Sequence, residues 1–288
     1  MSNLRNPYDR FDEALQAAFE SNLLAALLED VGSGDLTGRL VPDDVRVRAR
    51  VVVREDAVLC GGPWFEGVML ALDQTIDIEW QYAEGDMMHA GSVVCTIEAA
   101  PRALLTAERS ALNFLQLLSG VATATRKYVD IVSGTKAAIL DTRKTLPGLR
   151  QAQKYAVRVG GGQNQRMALY DGILIKENHI AAAGGVAKAL TAASALQAGV
   201  SIQIEVENLA ELAQALEAGA GSVLLDNFEL PAMREAVALN AGRALLEASG
   251  GVNLESVRAI AETGVDRISI GSLTKDIHAT DFSLRIVE

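Results

Sequence analysis

The spacing of hydrophobic positions divides the chain into two parts that meet near residue 120. In the first part, helical spacing of apolar residues and alternation of apolar with polar residues follow one another, which favours an α+β domain. This pattern predicts one helix, three strands and a long second helix at residues 11–28, 45–53, 76–80, 93–97 and 102–118. We expect the last helix to end at Ser119-Gly120, because glycine commonly terminates helices.

From about residue 121, short apolar runs alternate with amphipathic helical segments. The runs are residues 137–140, 173–175, 202–204, 223–225, 244–246 and 268–270. The later four recur at roughly the 20 to 25 residues that one strand, one loop and one helix occupy. Such units predict an α/β domain built on a parallel sheet, which is either a barrel or a doubly wound sheet.

Charged or glycine-rich groups follow each of these runs. They are Asp141-Thr142-Arg143-Lys144, Lys176, Glu205, Asp226, Ser249-Gly250-Gly251 and Gly271-Ser272. The carboxyl ends of parallel strands meet at one rim, and active sites of such folds are built there. Ordinary loop starts would explain one or two of these groups, but a full set of strands that end this way predicts a functional site.

The charge distribution at this rim suits small anions. The net charge of the chain is −11, which argues against a nucleic-acid surface spread over the molecule. Seven basic residues nevertheless lie between Asp141 and Lys176, against two acidic ones. Arginine and lysine bind carboxylate and phosphate oxygens through charge-assisted hydrogen bonds. The two glycine turns would leave backbone N–H groups accessible to a phosphate, ahead of helices expected near Asn253 and Leu273, although either turn alone is more often only a turn.

Glu205 and Asp226 are carboxylates at the ends of two successive strands. Such a pair can hold magnesium with a phosphate-containing group or ribose hydroxyls, and it can stabilise positive charge on a sugar carbon. The alternative is a helix cap or a salt bridge.

Other features exclude several classes of protein. Cys60 and Cys95 have no metal-ligand spacing, and we interpret both as core thiols. The apolar runs are far shorter than the ~20 residues that cross a bilayer. Residues 1–12 lack the apolar stretch of a secretory signal, so we expect a cytoplasmic location.

Several long segments resemble the quinolinate phosphoribosyltransferase family. In the second part they are DTRKTLPGLR (141–150), QKYAVRVGGGQNQRMALYDGILIKENH (153–179), IEVEN (204–208), LLDNF (224–228), EASGGVN (247–253) and TGVDRISIGSLT (263–274). In the first part they are EDVGSGDLT (29–37) and ERSALNFLQLLSG (108–120). The resemblance runs from about residue 23 to 287, with the motifs in the family's order.

This resemblance implies a type II phosphoribosyltransferase, a glycosyltransferase of the pentosyl class. It would join quinolinate to phosphoribosyl pyrophosphate, with magnesium, and release nicotinate mononucleotide, carbon dioxide and pyrophosphate. The implied fold is an N-terminal α/β sandwich at residues 1–120 and an incomplete parallel α/β barrel of six to seven strands at 121–278, with residues 279–288 returning to the first domain. The implied assembly is a homodimer or higher homo-oligomer, with no nucleic-acid or membrane partner.

The resemblance also assigns roles to residues. Lys144, Glu205 and Asp226 are the implied catalytic residues, and the two acids would carry magnesium with pyrophosphate, directly or through water. Arg109 is implied to reach the active site of the neighbouring subunit. The whole implied substrate-binding set is Arg109, Thr142, Arg143, Lys144, Arg166, Lys176, Glu205, Asp226, Ser249, Gly250, Gly251 and Gly271.

Gln165 departs from the family pattern, which usually has histidine immediately before the arginine that corresponds to Arg166. Histidine could add positive charge to carboxylate binding, whereas glutamine donates only a neutral amide hydrogen bond. The histidines that are present, His89, His179 and His278, have ordinary interpretations as surface or supporting groups.

Three alternatives are considered beside this hypothesis. A type II enzyme for nicotinate would have one carboxylate to neutralise, so the five cations Arg109, Arg143, Lys144, Arg166 and Lys176 favour the diacid. A non-catalytic phosphosugar-binding paralogue would be expected to lose part of the set Arg143, Lys144, Glu205 and Asp226. A type I phosphoribosyltransferase is disfavoured because Leu225-Asp226-Asn227 carries one acid rather than two.

Overall fold

The computed structural model describes residues 11–42 and 45–287, and the chain divides into two compact units. The first unit comprises Met1–Arg126, Thr145–Gly161 and Thr274–Glu288, and the second comprises Lys127–Lys144 and Gly162–Leu273. Relative to the predicted domains 1–120 and 121–278, these units place residues 121–126, 145–161 and 274–278 with the first. The prediction that residues 1–12 carry no secretory signal falls mainly on residues 1–10, which lie outside the described residues.

The first unit combines a four-stranded antiparallel sheet with helices. Its elements are α1 (Glu13–Asp30), a 3₁₀ turn (Gly38–Leu40), β1 (Val47–Val53), β2 (Ala57–Val58), α2 (Gly62–Leu72), β3 (Asp77–Trp80), β4 (Met87–Met88), β5 (Val93–Ala99), α3 (Pro101–Ile131, which continues into the second unit), α4 (Arg150–Val159) and β12 (Phe282–Ile286). The strand order is β12-β1-β5-β3, and β2 pairs with β4 separately. The helix and the three strands predicted before residue 100 are confirmed.

The alternating pattern of β1 explains its place in this sheet. Ala49, Val51 and Val53 are fully buried, whereas the alternating Arg48 and Arg50 are exposed. One face of the strand therefore packs on the core and the other meets solvent. The C-terminal strand β12 pairs antiparallel with β1 over Ala49 to Val53.

The predicted helix end at Ser119-Gly120 is wrong, because α3 continues to Ile131. The Ser119 hydroxyl accepts a hydrogen bond from the Cys60 N–H and donates one to the Cys60 carbonyl, both at 3.0 Å. A side-chain carbon at Gly120 would collide with the backbone carbonyl of His278. Glycine therefore serves close packing of the backbone here rather than helix termination. The interpretation of Cys60 and Cys95 is confirmed: both are free and buried, and burial raises the pKa of each thiol.

In the second unit, all six predicted apolar runs form strands of one parallel sheet. The order is β6-β11-β10-β9-β8-β7. The elements are β6 (Ala138–Leu140), β7 (Gly172–Ile175), α5 (Glu177–Ala183), α6 (Val186–Ala195), β8 (Ser201–Val206), α7 (Leu209–Glu217), β9 (Ser222–Asp226), α8 (Leu230–Asn240), β10 (Leu245–Ser249), α9 (Val257–Ala261), β11 (Arg267–Ser269) and α10 (Ser272–Lys275), the last of which continues into the first unit.

This strand order decides between the two predicted types of sheet. From β7 to β11 each strand lies beside the next one in sequence, as in a barrel, whereas a doubly wound sheet reverses direction partway. Among the described residues β6 and β7 are the edge strands, and Gln163 extends the β6 edge through a parallel bridge to Leu140. The predicted incomplete barrel is therefore confirmed.

The parallel register places polar side chains on one face of this sheet. Glu205 on β8 and Glu247 on β10 are both paired in register with Leu224 on β9. Because side chains alternate along a strand, Asp226 and Ser249, each two residues further on, share that face. No helix within residues 11–42 and 45–287 is both long enough and apolar enough to span a bilayer.

Candidate active site

Asp141 follows β6 and anchors the segment that carries Gln165. Its side chain is fully buried. Its Oδ1 accepts from the Gln165 backbone N–H at 2.9 Å, and its Oδ2 accepts from the Asn164 amide at 2.6 Å. Asp141 is thus a support for the neighbouring loop rather than a group facing a ligand.

Thr142, Lys144 and Gly271 come together at the ends of β6 and β11. The Thr142 hydroxyl accepts from the Lys144 backbone N–H at 3.1 Å. A side-chain carbon at Gly271 would lie 3.0 Å from Lys144 Cδ and 3.5 Å from Thr142 Oγ1. Glycine at position 271 therefore leaves the space along which the Lys144 side chain extends, and Lys144 itself is exposed.

Arg143 and Arg166 are two cations of the second unit whose charges influence one another. The Arg166 guanidinium donates to the Gly172 carbonyl at 2.9 Å, at the first residue of β7. Burial and the charge of Arg143 lower the pKa of Arg166, and Asp171 opposes this in part. The Nε of Arg143 is buried and has no hydrogen-bond partner among the described residues. Buried donors are normally paired, so this Arg143 nitrogen is a candidate donor to an anion. Arg166 lies at the start of β7, not at the carboxyl end of a strand.

Lys176 and Glu205 form an ion pair across β7 and β8. The Lys176 ammonium lies 2.9 Å from Glu205 Oε2 and 3.3 Å from Oε1. The Glu205 side chain is only 13% exposed, whereas that of Lys176 is 48% exposed. His179 supports this corner, because its Nδ1 accepts from the Lys176 backbone N–H at 3.0 Å. The interpretation of His179 as a supporting group is confirmed.

Asp226 and the turn Ser249-Gly250-Gly251 meet at the ends of β9 and β10. Asp226 pairs in register with Ser249, and the Asn227 N–H donates to the Ser249 carbonyl at 2.9 Å. The Asn227 amide donates to Asp226 Oδ2, also at 2.9 Å. Gly250 has a φ of 104°, and a side-chain carbon there would collide with the Asn227 side chain. Only glycine fits both the backbone conformation and this contact.

The helix predicted near Asn253 starts later, at Val257. The Asn253 side chain accepts from the Glu255 and Ser256 backbone N–H groups at 3.0 and 2.9 Å. These donors ahead of the helix are therefore already occupied. The N–H groups of the turn itself, at Gly250 and Gly251, are the better candidates for binding a phosphate. The helix predicted near Leu273 begins one residue earlier, at Ser272.

Arg109 belongs to the first unit, where it lies exposed on α3. Among the second-unit residues of the predicted set, contacts join Thr142, Lys144 and Gly271, and an ion pair joins Lys176 to Glu205. Arg143 lies close enough to influence Arg166. The contacts thus join residues at the ends of β6 and β11, and separately residues at the ends of β7 and β8.

Four supporting residues are absent from the predicted set: Asp141, Gln203, Asn227 and Glu247. Gln203 accepts from Gln165 and donates to Glu247, at 2.6 and 2.9 Å. The signal for Gln203 is visible in the sequence, because it interrupts the apolar run at 202–204. A polar residue inside a buried strand needs a hydrogen-bond partner, but the sequence does not say which one.

The comparisons with known proteins agree over nearly the whole chain. Residues 35–119 match the family model described as Quinolinate phosphoribosyl transferase, N-terminal domain, and residues 121–285 match the one for the C-terminal domain. A Mycobacterium leprae protein named "Nicotinate-nucleotide pyrophosphorylase [carboxylating]" is 41% identical over 277 residues, which cover 93% of this chain and 96% of that protein. A Bacillus subtilis protein named "Probable nicotinate-nucleotide pyrophosphorylase [carboxylating]" is 40% identical over 260 residues, 90% of each.

A solved structure gives the same result at the level of the fold. The nicotinate-nucleotide pyrophosphorylase from Francisella tularensis is 45% identical and superposes with a TM-score of 0.92. The match covers 94% of this chain and 96% of that one. Family models that together span most of the sequence, relatives of similar length and a shared two-part fold all agree. The chain belongs to the quinolinate phosphoribosyltransferase family.

Proposed function

We propose that this chain transfers the phosphoribosyl group of phosphoribosyl pyrophosphate to quinolinate and decarboxylates the product, giving nicotinate mononucleotide for de novo NAD biosynthesis. The observation that carries the proposal is the pair of arginines, Arg143 and Arg166, with a buried Arg143 Nε that has no partner among the described residues. Two guanidinium groups that act electrostatically on one another suit the adjacent carboxylates of a pyridine diacid, because each can bind a carboxylate bidentately.

The reaction needs no activated nucleophile from the protein. The pyridine nitrogen of quinolinate carries its own electron pair and attacks C1 of the ribose, while the C1–O bond to pyrophosphate breaks and pyrophosphate leaves with that electron pair. Positive charge develops on the ribose, and Glu205 and Asp226 would stabilise it from the same face of the sheet. Loss of the 2-carboxylate as carbon dioxide then leaves an electron pair beside the cationic ring nitrogen, and a proton replaces the carboxylate.

Lys144 and the two glycine turns suit the phosphates of the second substrate. Lys144 extends past Gly271 and is exposed, so its ammonium can approach a pyrophosphate oxygen. Backbone N–H groups at Gly250 and Gly251 would hold the ribose 5-phosphate. Lys176 is paired with Glu205 at 2.9 Å. An anion that draws Lys176 away would free the Glu205 carboxylate to face the ribose.

Glu205 and Asp226 could bind magnesium together with the phosphates of the substrate. Among the described residues no group of three or more acidic, histidine or cysteine side chains could hold a metal ion by itself. Glu205 and Asp226 are two carboxylates, and Mg²⁺ is usually held by one or two carboxylates together with substrate phosphates and water. When bound with pyrophosphate, the ion would neutralise charge on the leaving group.

The proposal includes a cytoplasmic homodimer or higher homo-oligomer, in which Arg109 reaches the neighbouring active site. The exposure of Arg109 on α3 supports this role. The two cysteines are free thiols, which supports a reducing compartment such as the cytoplasm. Mixing the Arg109→Ala and Lys176→Ala proteins should therefore restore activity in heterodimers, since one of the two mixed sites carries neither change. Activity no higher than the sum of the two separate variants would contradict an intersubunit role.

The product assay separates this proposal from its alternatives. The protein is incubated with phosphoribosyl pyrophosphate, magnesium and either quinolinate labelled in its 2-carboxylate or nicotinate. We expect labelled carbon dioxide and nicotinate mononucleotide from quinolinate, and no mononucleotide from nicotinate. Turnover of nicotinate would favour the monocarboxylate enzyme, and turnover of neither would favour a non-catalytic paralogue.

A further inference from the structure

Gln203 and Glu247 are buried polar side chains to which the mechanism above gives no task. Gln203 on β8 is 7% exposed and Glu247 on β10 is 1% exposed. The Gln203 amide donates to Glu247 Oε2 at 2.9 Å. The other oxygen, Oε1, is buried without a hydrogen-bond partner among the described residues. A buried acceptor left unpaired opposes stability, so the pair is poorly explained as a contribution to folding.

Hydrogen bonds connect this pair to Arg166. The side-chain oxygen of Gln203 (Oε1) accepts from the Gln165 side-chain amide at 2.6 Å, and the side-chain oxygen of Gln165 (Oε1) accepts from the Arg166 backbone N–H at 2.6 Å. Because a carboxylate only accepts, Glu247 requires the Gln203 amide nitrogen to face it. The side-chain oxygen of Gln203 must then face Gln165, and the side-chain oxygen of Gln165 must face Arg166. Glu247 therefore determines the orientation of both amides in this series of hydrogen bonds.

Arg166 is held at two points as a result. Its backbone is bound through Gln165, and its guanidinium donates to the Gly172 carbonyl at 2.9 Å. We propose that Gln203 and Glu247 are positioning residues that set the place of Arg166 and thereby the affinity for the pyridine diacid. The inference rests on the proposed function, in which Arg166 binds a quinolinate carboxylate. A ligand-binding group displaced by about 1 Å can lose a large part of its effect.

An exchange of the acid and the amide tests this inference. Gln203→Glu alone places two buried carboxyl groups face to face, so they either repel one another or share one proton, and the fixed donor and acceptor ends of the Gln203 amide are lost. In the Gln203→Glu/Glu247→Gln double variant, the carboxylate at 203 still accepts from Gln165, and the new amide at 247 donates to it. We expect Gln203→Glu to raise the KM for quinolinate about tenfold or more. We expect the double variant to return it to within about threefold of wild type.

The remaining comparisons separate positioning from general loss of stability. The KM for phosphoribosyl pyrophosphate should change less than about threefold in every variant, because Arg166 is assigned to the diacid. Asn240→Leu is the matched control: it removes a buried amide that bonds Ala244 at the other end of the strands. It should lower the melting temperature and leave both KM values unchanged. If Gln203→Glu does not fold, Gln203→Met takes its place in the comparison, because it has a similar volume and removes both side-chain hydrogen bonds of Gln203.

Each outcome bears on one claim. Wild-type protein that does not turn over quinolinate overturns the proposed function itself. Turnover with a quinolinate KM that does not respond to Gln203→Glu or Gln203→Met overturns the positioning role alone. A folded double variant that keeps the high KM of the single variant also overturns it. A selective rise in the quinolinate KM that the exchange reverses supports it.

Discussion

Both ends of the strands in the second unit carry polar side chains, but the two ends use them differently. At the amino ends, polar groups are satisfied within the protein: Asn240 exchanges two hydrogen bonds with Ala244, and Asp266 accepts from Lys136 and from the Leu246 N–H. At the other end, charges are held close together, and a buried Arg143 nitrogen has no partner among the described residues. The first arrangement completes a fold, whereas the second leaves a buried donor open, as a binding site at the carboxyl ends of strands would.

A shallow groove at the amino ends makes the contrast sharper. Its lining includes Lys136, Asn240, Arg243 and Asp266. Arg243 donates to the carbonyls of Asn240 and Leu239, and Lys136 is paired with Asp266 at 2.8 Å. These polar groups are therefore engaged by the chain itself. Whether the polar groups that line a groove already have partners within the protein therefore indicates a binding site better than the concave shape does.

The largest expected effect follows from removing a charge at the carboxyl ends. Arg143→Ala or Lys144→Ala should lower kcat/KM for quinolinate by at least about 100-fold, the scale of losing one preorganised charge-stabilising donor. The free energy of unfolding should change little. Arg243→Ala is the matched arginine at the amino ends and should keep wild-type kinetics. Steady-state kinetics and denaturant unfolding of the three variants would refute the contrast if Arg243→Ala lost as much activity as Arg143→Ala.

A medium effect, on stability instead of activity, is expected at the amino ends. Asn240→Ala would leave the buried N–H and carbonyl of Ala244 without their partners. This should lower the free energy of unfolding by about 1–3 kcal/mol, the cost of unpaired buried groups. Both kcat and KM should stay at wild-type values. Equilibrium unfolding in urea with parallel kinetics checks this, and a loss of activity in the folded variant would contradict it.

The smallest effect is expected at the exposed ion pair. Lys136 and Asp266 are 58% and 24% exposed, so water screens their attraction. Lys136→Ala should therefore cost less than about 1 kcal/mol of stability and no activity. A larger loss of stability, measured by the same unfolding assay, would contradict the view that water screens this ion pair.

Much of the second unit could be predicted from the sequence, because strands buried in a parallel sheet are continuous apolar runs. All six runs became strands, and the groups that follow them lie where the strands end. Gly120 misled the prediction, because its role is a close approach to His278, which lies far away in sequence. The same limit applies to Gln203 and Glu247. A polar residue in a buried strand requires a hydrogen-bond partner, but only the folded structure identifies that partner.

The positions of the anion-binding groups are the central claim, and hydrogen–deuterium exchange tests it most directly. Benzene-1,2-dicarboxylate has the two carboxylates of quinolinate but no ring nitrogen, so it can bind with phosphoribosyl pyrophosphate and magnesium without reacting. The account predicts slower exchange in residues 142–144, 165–167 and 249–251 when these ligands are added, and no change in residues 240–246. Protection confined to residues 240–246, or absent from all of these segments at saturating ligand, would contradict it.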